Sequence, residues 1–149
     1  MKTKEKKQDK RKKQDKGIIT VTGKRKTAIA KATIKPGIGS VRVNKKPIDI
    51  FPFFQRLILI EPLRIFEETL KQKPNFDISI NVKSGGSEAQ AEASRLAIAK
   101  ALVAFTKSQE LKSAYLSYDR SLLIADVRRK EMRKPGDSKA RAKRQKSYR

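Results

Sequence analysis

Apolar and polar positions alternate most regularly from Phe76 to Lys83, where Phe76, Ile78, Ile80 and Val82 fall on one side. Asp77, Ser79, Asn81 and Lys83 fall on the other, and this period of two predicts a half-buried strand. The same alternation runs from Thr27 to Lys35, with Ala28, Ala30, Ala32 and Ile34 opposed to Lys31, Thr33 and Lys35. Gly17 to Thr22 is a short β-branched run. After the turn Pro36-Gly37-Ile38-Gly39, Val41-Arg42-Val43 resumes an extended segment, which Asn44 and Pro47 break. These segments predict two or three antiparallel strands in the first part of the chain.

Elsewhere the pattern is helical. Leu57 to Lys71 predicts a helix, with Pro62 tolerated near a helix start or at a break. A second helix starts at Ser87, after Gly85-Gly86, where Ser87 and Gln90 have the spacing of a capping box. Ala91, Ile98, Leu102 and Phe105 form one apolar stripe along it, and its many alanines permit a close approach to a sheet. A short helix is predicted over Glu110 to Tyr115, and Ser121 to Lys134 reads as a helical extension into the C-terminal segment. The elements amount to an α+β fold with a small aliphatic core, since only 6% of the residues are aromatic.

Charge then divides the 149 residues into three parts. Residues 1–16 carry a net charge of +6, residues 127–149 carry +9, and the longer centre, 17–126, carries +8. Neither end offers an apolar stripe, so both read as extended basic tails flanking a domain over 17–126. A total of +23 disfavours a compact free protein by self-repulsion and points to a polyanionic partner. There is no Cys and no His, which removes thiolate nucleophiles, imidazole bases and Cys/His metal sites. The most apolar run, Leu57 to Phe66, is interrupted by Glu61, Pro62 and Arg64 and is too short to cross a bilayer. Residues 1–16 lack the apolar stretch of a secretory signal. A soluble cytoplasmic protein is predicted, with no membrane association.

Candidate chemistry narrows the reading further. Gly23-Lys24-Arg25-Lys26-Thr27 has the flavour of a phosphate loop but fails its spacing: five residues separate Gly17 from Gly23, and Arg25 stands where a hydroxyl is needed. A strand rather than a helix follows it, so the cluster is either solvated or makes direct phosphate contacts from beside a rigid strand. Gly85-Gly86 is either a plain strand-to-helix turn or an anion site at a helix start. The acidic residues, among them Glu61, Glu67, Glu68, Glu88, Glu92, Asp119 and Asp126, are scattered, and Glu88, Glu92 and Arg95 are spaced for ion pairs along one helix. No catalytic constellation stands out. The C-terminal stretch Asp137 to Arg149 interleaves cations with small residues, which suits threading between nucleic-acid strands; a solubilising tail or localisation signal has the same composition. Tyr148 suits stacking on a base or ribose, and Arg149 carries a planar fork for phosphate.

Three ordered segments resemble the ribosomal small-subunit protein nine family in its archaeal and eukaryotic form. They are Val21 to Ala30, with its basic triplet before a long strand; Ser84 to Gln90 continuing through Leu96 to Leu102; and Tyr118 to Leu123 with Lys139 to Arg149. Ser84 stands where a third glycine is usual, and Tyr148 precedes Arg149 where bacterial members end in a Lys-Arg pair. Residues 1–16 match nothing in the family pattern. The resemblance implies a four-stranded sheet with helices packed on one face, like the second domain of small-subunit ribosomal protein five. It implies a place in the head of the small subunit, among neighbouring head proteins, with no cofactor, metal or small-molecule substrate. It also implies small-subunit ribosomal RNA contacts by Lys24, Arg25, Lys26, Arg128, Arg129, Lys139, Arg141, Lys143 and Arg144. Contact with the anticodon stem-loop of peptidyl-site tRNA falls to Arg149, with Lys146 and Tyr148 nearby. The competing reading is a free nucleic-acid packaging protein or RNA chaperone. An enzyme is not expected.

Overall fold

The computed structural model describes residues 17–72, 74–136 and 139–142. Five strands form one sheet: β1 (Ile19–Arg25), β2 (Ala28–Pro36), β3 (Val41–Val43), β4 (Lys46–Pro47) and β5 (Phe76–Lys83). Three α-helices accompany them: α1 (Phe53–Leu70), α2 (Ser87–Thr106) and α3 (Gln109–Tyr118). The strand order is β1-β2-β5-β3-β4, and the α+β architecture with helices on one sheet face matches expectation. The fifth strand is the two-residue β4, too short to leave an alternating signature.

β1 and β2 form an antiparallel hairpin in which Arg25 opposes Ala28, so Lys26 and Thr27 make the turn and Lys26 takes φ +51°. β2 pairs antiparallel with β5, but β3 pairs parallel with β5. The expectation of two or three antiparallel strands in the first part of the chain therefore holds for β1 and β2, whereas β3 joins the sheet through a parallel pairing with β5. A parallel pair needs a crossover, and the long segment containing α1 supplies it. Asn44 and Lys45 both take positive φ, the pattern of a tight primed hairpin turn between β3 and β4. Asn44 also clips this turn to β5: its Oδ1 accepts from the Val82 amide at 2.8 Å, and its own amide donates to the Ile80 carbonyl at 2.8 Å.

Alternation places Ala28, Ala30, Ala32 and Ile34 of β2 beside Phe76, Ile78, Ile80 and Val82 of β5 in the core. α2 lies across β1, β2 and β5, and α1 and α3 pack against α2, with α1 also reaching β5 through Phe66. Contacted by the sheet and by both other helices, α2 buries Ala93, Ala97 and Ala101 as well as the predicted Ala91, Ile98 and Leu102. Phe105 completes that stripe through an edge-on contact with Phe76, which meets Phe66 of α1 similarly, at ring separations of 5.9 and 5.2 Å. The alanines do what their size allows. A Cβ added to Gly23 of β1 would meet the Ala93 carbonyl oxygen and lie 2.8 Å from the Ala97 amide nitrogen. Gly23 is therefore where the α2 backbone rests on the sheet, a packing role the phosphate-loop comparison concealed.

Helix boundaries differ in instructive ways. α1 begins at Phe53 rather than Leu57, because its first turn carries the exposed Phe53 and Phe54 and lacks the amphipathic signal. Pro62 lies well inside α1, buried, and its carbonyl accepts the Tyr115 hydroxyl of α3 at 2.7 Å. Tertiary packing thus retains a helix that proline would otherwise weaken. The Ser87 capping box does not form. Gly86 is the N-cap without a side-chain bond, and Gln90 Nε2 instead donates to the Ser84 and Gly85 carbonyls at 3.3 Å each. α3 runs three residues past Tyr115. The predicted helix over Ser121 to Lys134 is absent: a single 3-10 turn over Arg120–Leu122 is followed by irregular backbone. From Arg128 to Lys134 the residues are mostly cationic, which leaves no apolar stripe to carry a helix away from the domain.

Two substitutions test this packing. Replacing Gly23 with Ala forces β1 and α2 apart and is expected to lower the unfolding free energy by about 2 kcal/mol in chemical denaturation. Tyr115→Phe removes one buried hydrogen bond while keeping the ring, and a loss of about 1 kcal/mol is expected by the same measurement. The tyrosine also carries a pH signature. Burial raises the Tyr115 hydroxyl well above its ordinary value. Stability is thus complete below the unfolded tyrosine pKa near 10 and falls as pH rises beyond it, a fall the Phe variant lacks.

Candidate nucleic-acid interface

The β1–β2 turn presents Lys24 and Lys26 to solvent on either side of Arg25, which is partly buried. Strand alternation explains the difference. Arg25 is the last inward position of β1, following Ile19, Val21 and Gly23, so its guanidinium turns toward the helix layer. There it pairs with Glu92 of α2 through Nε and with Asp126 through Nη1. The Asp126 side chain is only 16% exposed and also takes Arg128, whose Nη2 lies 2.7 Å away. The Arg128 side chain holds the Asp126 carboxyl well below the usual carboxylate range, reinforced by the Arg128 amide and the charge of Arg25.

This arrangement brings together two basic clusters a hundred residues apart. Lys24, Arg25 and Arg128 line one cleft of about 580 Å³ with Arg95, Arg120, Glu92, Asp119 and Asp126. A second arginine organises its floor. Arg95 of α2 lies 2.6 Å from Glu61 of α1, an ion pair without an aligned hydrogen bond, and donates to Asp119 at 2.8 Å. Asp119 in turn accepts from the Ser121 hydroxyl and amide, which together with Arg95 keep its carboxyl below its ordinary value. The pairing along α2 expected of Glu88, Glu92 and Arg95 does not form. Glu92 and Arg95 instead reach other elements, because both project from the side of α2 that faces β1, α1 and the segment after α3.

The other sequence-predicted residues divide by placement. Arg129 and Lys139 are exposed. Arg141 is exposed and clasps Glu131 with its Nη2 at 2.5 Å, closing a loop within the basic segment. Lys143, Arg144, Lys146, Tyr148 and Arg149 lie outside the described residues. The turn Ser84-Gly85-Gly86 packs beside Ala28, just after the basic turn. Ser84 adopts φ +62°, where glycine is the easy residue, so replacing the usual third glycine leaves local strain at that position. The carboxylates that hold Arg25 and Arg95 carried no sequence signal beyond their scatter, since pairing across elements has no fixed spacing. Among the described residues no group of His, Cys, Asp or Glu is placed to hold a metal, and no helix is long and apolar enough to cross a membrane.

Comparison with known proteins identifies the family to which this cationic chain belongs. The family described as Ribosomal protein S9/S16 matches residues 23–149. The chain belongs to the ribosomal protein S9/S16 family. Small ribosomal subunit protein uS9 of Methanococcus maripaludis strain C7 is 48% identical over 135 residues, covering 89% of this chain and 98% of that protein. The uS9 protein of Pyrobaculum aerophilum is 48% identical over 133 residues, with 89% and 92% covered. That of Methanococcus vannielii is 44% identical over 135 residues. In this S9/S16 chain the match begins at Gly23, the residue on which α2 rests, and takes in the basic turn, the Arg25 and Arg95 hubs and the whole C-terminal segment.

Because Asp126 holds the start of the C-terminal segment to the domain, Asp126→Ala is expected to free it. Trypsin should then cut at Arg128 to Lys130 several-fold faster than in the parent, with the domain's unfolding midpoint little changed. Identical cleavage rates would show that the anchor lies elsewhere. Since the Asp126 carboxyl titrates below its usual range, the anchor persists at neutral pH and is lost only as strong acid protonates it.

Proposed function

We propose that this chain is a structural component of the small subunit of the cytoplasmic ribosome, where it binds small-subunit ribosomal RNA in the head of the particle. The reading is carried by the near-full-length likeness to small ribosomal subunit protein uS9, which spans 98% of the Methanococcus maripaludis protein. The charge agrees with it, since +23 on 149 residues calls for a polyanion. In this proposal Lys24, Lys26, Arg128, Arg129, Lys139, Arg141, Lys143 and Arg144 face ribosomal RNA. Arg25 works beneath them, holding Asp126 so that the basic turn and the start of the tail address the same RNA. The end of the chain, Lys146, Tyr148 and Arg149, reaches the anticodon stem-loop of peptidyl-site tRNA. The protein acts by placement, and its partners are RNA and the neighbouring head proteins.

Recognition of this kind is electrostatic and reads the shape of folded RNA. If about eight phosphates are neutralised, the affinity for small-subunit RNA falls with a log–log salt slope of roughly −6. Sedimentation of a cell lysate should show the protein migrating stoichiometrically with small subunits; recovery mainly as free protein on mixed nucleic acids would favour the packaging or chaperone reading. Deleting residues 146–149 should leave subunit assembly intact while altering initiation or reading-frame fidelity. Unchanged fidelity and tRNA binding in such ribosomes would remove the tRNA role.

A further inference from the structure

The helices cover one face of the sheet, and no described residue packs over the other. Strand register identifies what stands on that open face. Thr22, Lys31 and Asn81 are cross-strand neighbours; so are Lys24, Ile29 and Lys83; Thr20, Thr33, Ser79 and Arg42 form a third row, and Lys35 opposes Asp77. Opposed residues share a face, so Lys24, Lys31, Lys35, Arg42 and Lys83 project together from four adjacent strands. All five are exposed.

Acidic residues are almost excluded from this face. Of the ten between Gly17 and Asp126, only Asp77 stands there. Its carboxylate accepts from the Ser40 amide at 3.0 Å and the Ile38 amide at 3.1 Å, so it is turned to the end of the sheet and partly offset. Those amides and the nearby Lys35 keep it ionised below its ordinary range. The other nine belong to the helix side or to the segments flanking it, where Glu92, Glu61, Asp119 and Asp126 are bound to arginines. Rows on adjacent strands lie about 4.8 Å apart, so the cations sit within roughly a Debye length or two of one another and their fields add.

We propose that the open sheet face is a second ribosomal-RNA surface, taking a phosphodiester backbone across Lys31, Lys35, Arg42 and Lys83. It rests on the RNA-binding reading above and extends it to residues outside the basic turn and the tail. The occupant is RNA rather than protein because the only apolar side chains at these strand positions are Ile29 and, at the sheet edge opposite Arg42, Pro47, and no aromatic accompanies them. A protein partner would find too little apolar surface there to anchor on, and no aromatic. The remaining side chains, Thr20, Thr22, Thr33, Ser79 and Asn81, are the small hydroxyl and amide groups that hydrogen-bond phosphate and sugar oxygens.

The test compares full-length protein carrying Lys31→Gln, Arg42→Gln and Lys83→Gln with a helix-side control carrying Arg64→Gln, Lys107→Gln and Lys112→Gln. All six positions are exposed, and matched thermal unfolding verifies that both variants remain folded. Binding to small-subunit ribosomal RNA is measured from about 50 to about 300 mM KCl. The sheet variant should bind roughly ten-fold or more weakly, with a salt slope shallower by about 2, while the control stays close to the parent. Equal losses in both variants would reduce the effect to net charge and overturn the proposal. So would a sheet variant that keeps parental RNA affinity, whether or not it loses a neighbouring small-subunit protein. A parent that binds this RNA while the sheet variant matches it removes only the sheet surface. A parent that fails to bind removes the ribosomal-RNA reading itself.

Discussion

The contact on which the structure depends is the seat of α2 on the sheet at Gly23. A chain with 6% aromatic residues has few bulky side chains with which to fill a gap between layers. It closes that gap by thinning both surfaces: Gly23 on β1, alanines at 28, 30 and 32 on β2, and alanines at 93, 97 and 101 on α2. Backbone then approaches backbone, and dispersion between close-packed small groups replaces the area that larger side chains would bury. The aromatic side chains Phe66, Phe76 and Phe105 meet where α1, β5 and the end of α2 come together, and Tyr115 ties α3 to α1.

From that seat follows the separation of charge. With α2 pressed against β1, the inward-facing Arg25 is delivered to Glu92, and the segment leaving α3 returns close enough for Asp126 to complete the site. Arg95, farther along α2, joins α1 to the turn after α3 through Glu61 and Asp119. Acidic residues are thus drawn into pairing around the helix layer, and the uncovered strand face keeps its lysines and Arg42 without local opposition beyond Asp77. Partial neutralisation on one side lets a strongly basic chain fold while the other side stays cationic. Half-buried, multiply bonded pairs of this kind fix geometry more than they add stability. Their consequence here is directional: the basic turn and the tail start from one place.

Much of this was legible from residue order. Phe76–Lys83 and Ala28–Pro36 emerged within a residue of their observed limits, because a period of two over eight or nine residues has one interpretation. The α2 stripe and its alanines were equally clear. The parallel pairing of β3 was not, since three residues carry a strand signal but no direction. The capping box at Ser87 failed because the Ser84-Gly85 turn offered Gln90 two carbonyls, a competition that spacing does not reveal. At the candidate interface the triplet at 24–26 was visible as charge, yet its middle member behaves differently from its neighbours. Only the alternation of β1, carried two inward positions beyond Val21, would have turned Arg25 inward.

Residue order by itself determined the polyanionic partner, the absence of imidazole and thiol chemistry, the strand and helix periods and the family, because each is a property of composition or of neighbours a few positions apart. Tertiary structure alone decided which carboxylates hold Arg25 and Arg95, that Gly23 is a packing residue, and that the lysines of three strands and Arg42 share one uncovered face. Those outcomes depend on pairing between segments tens of residues apart, where register and crossover direction choose the partners and no local spacing encodes them.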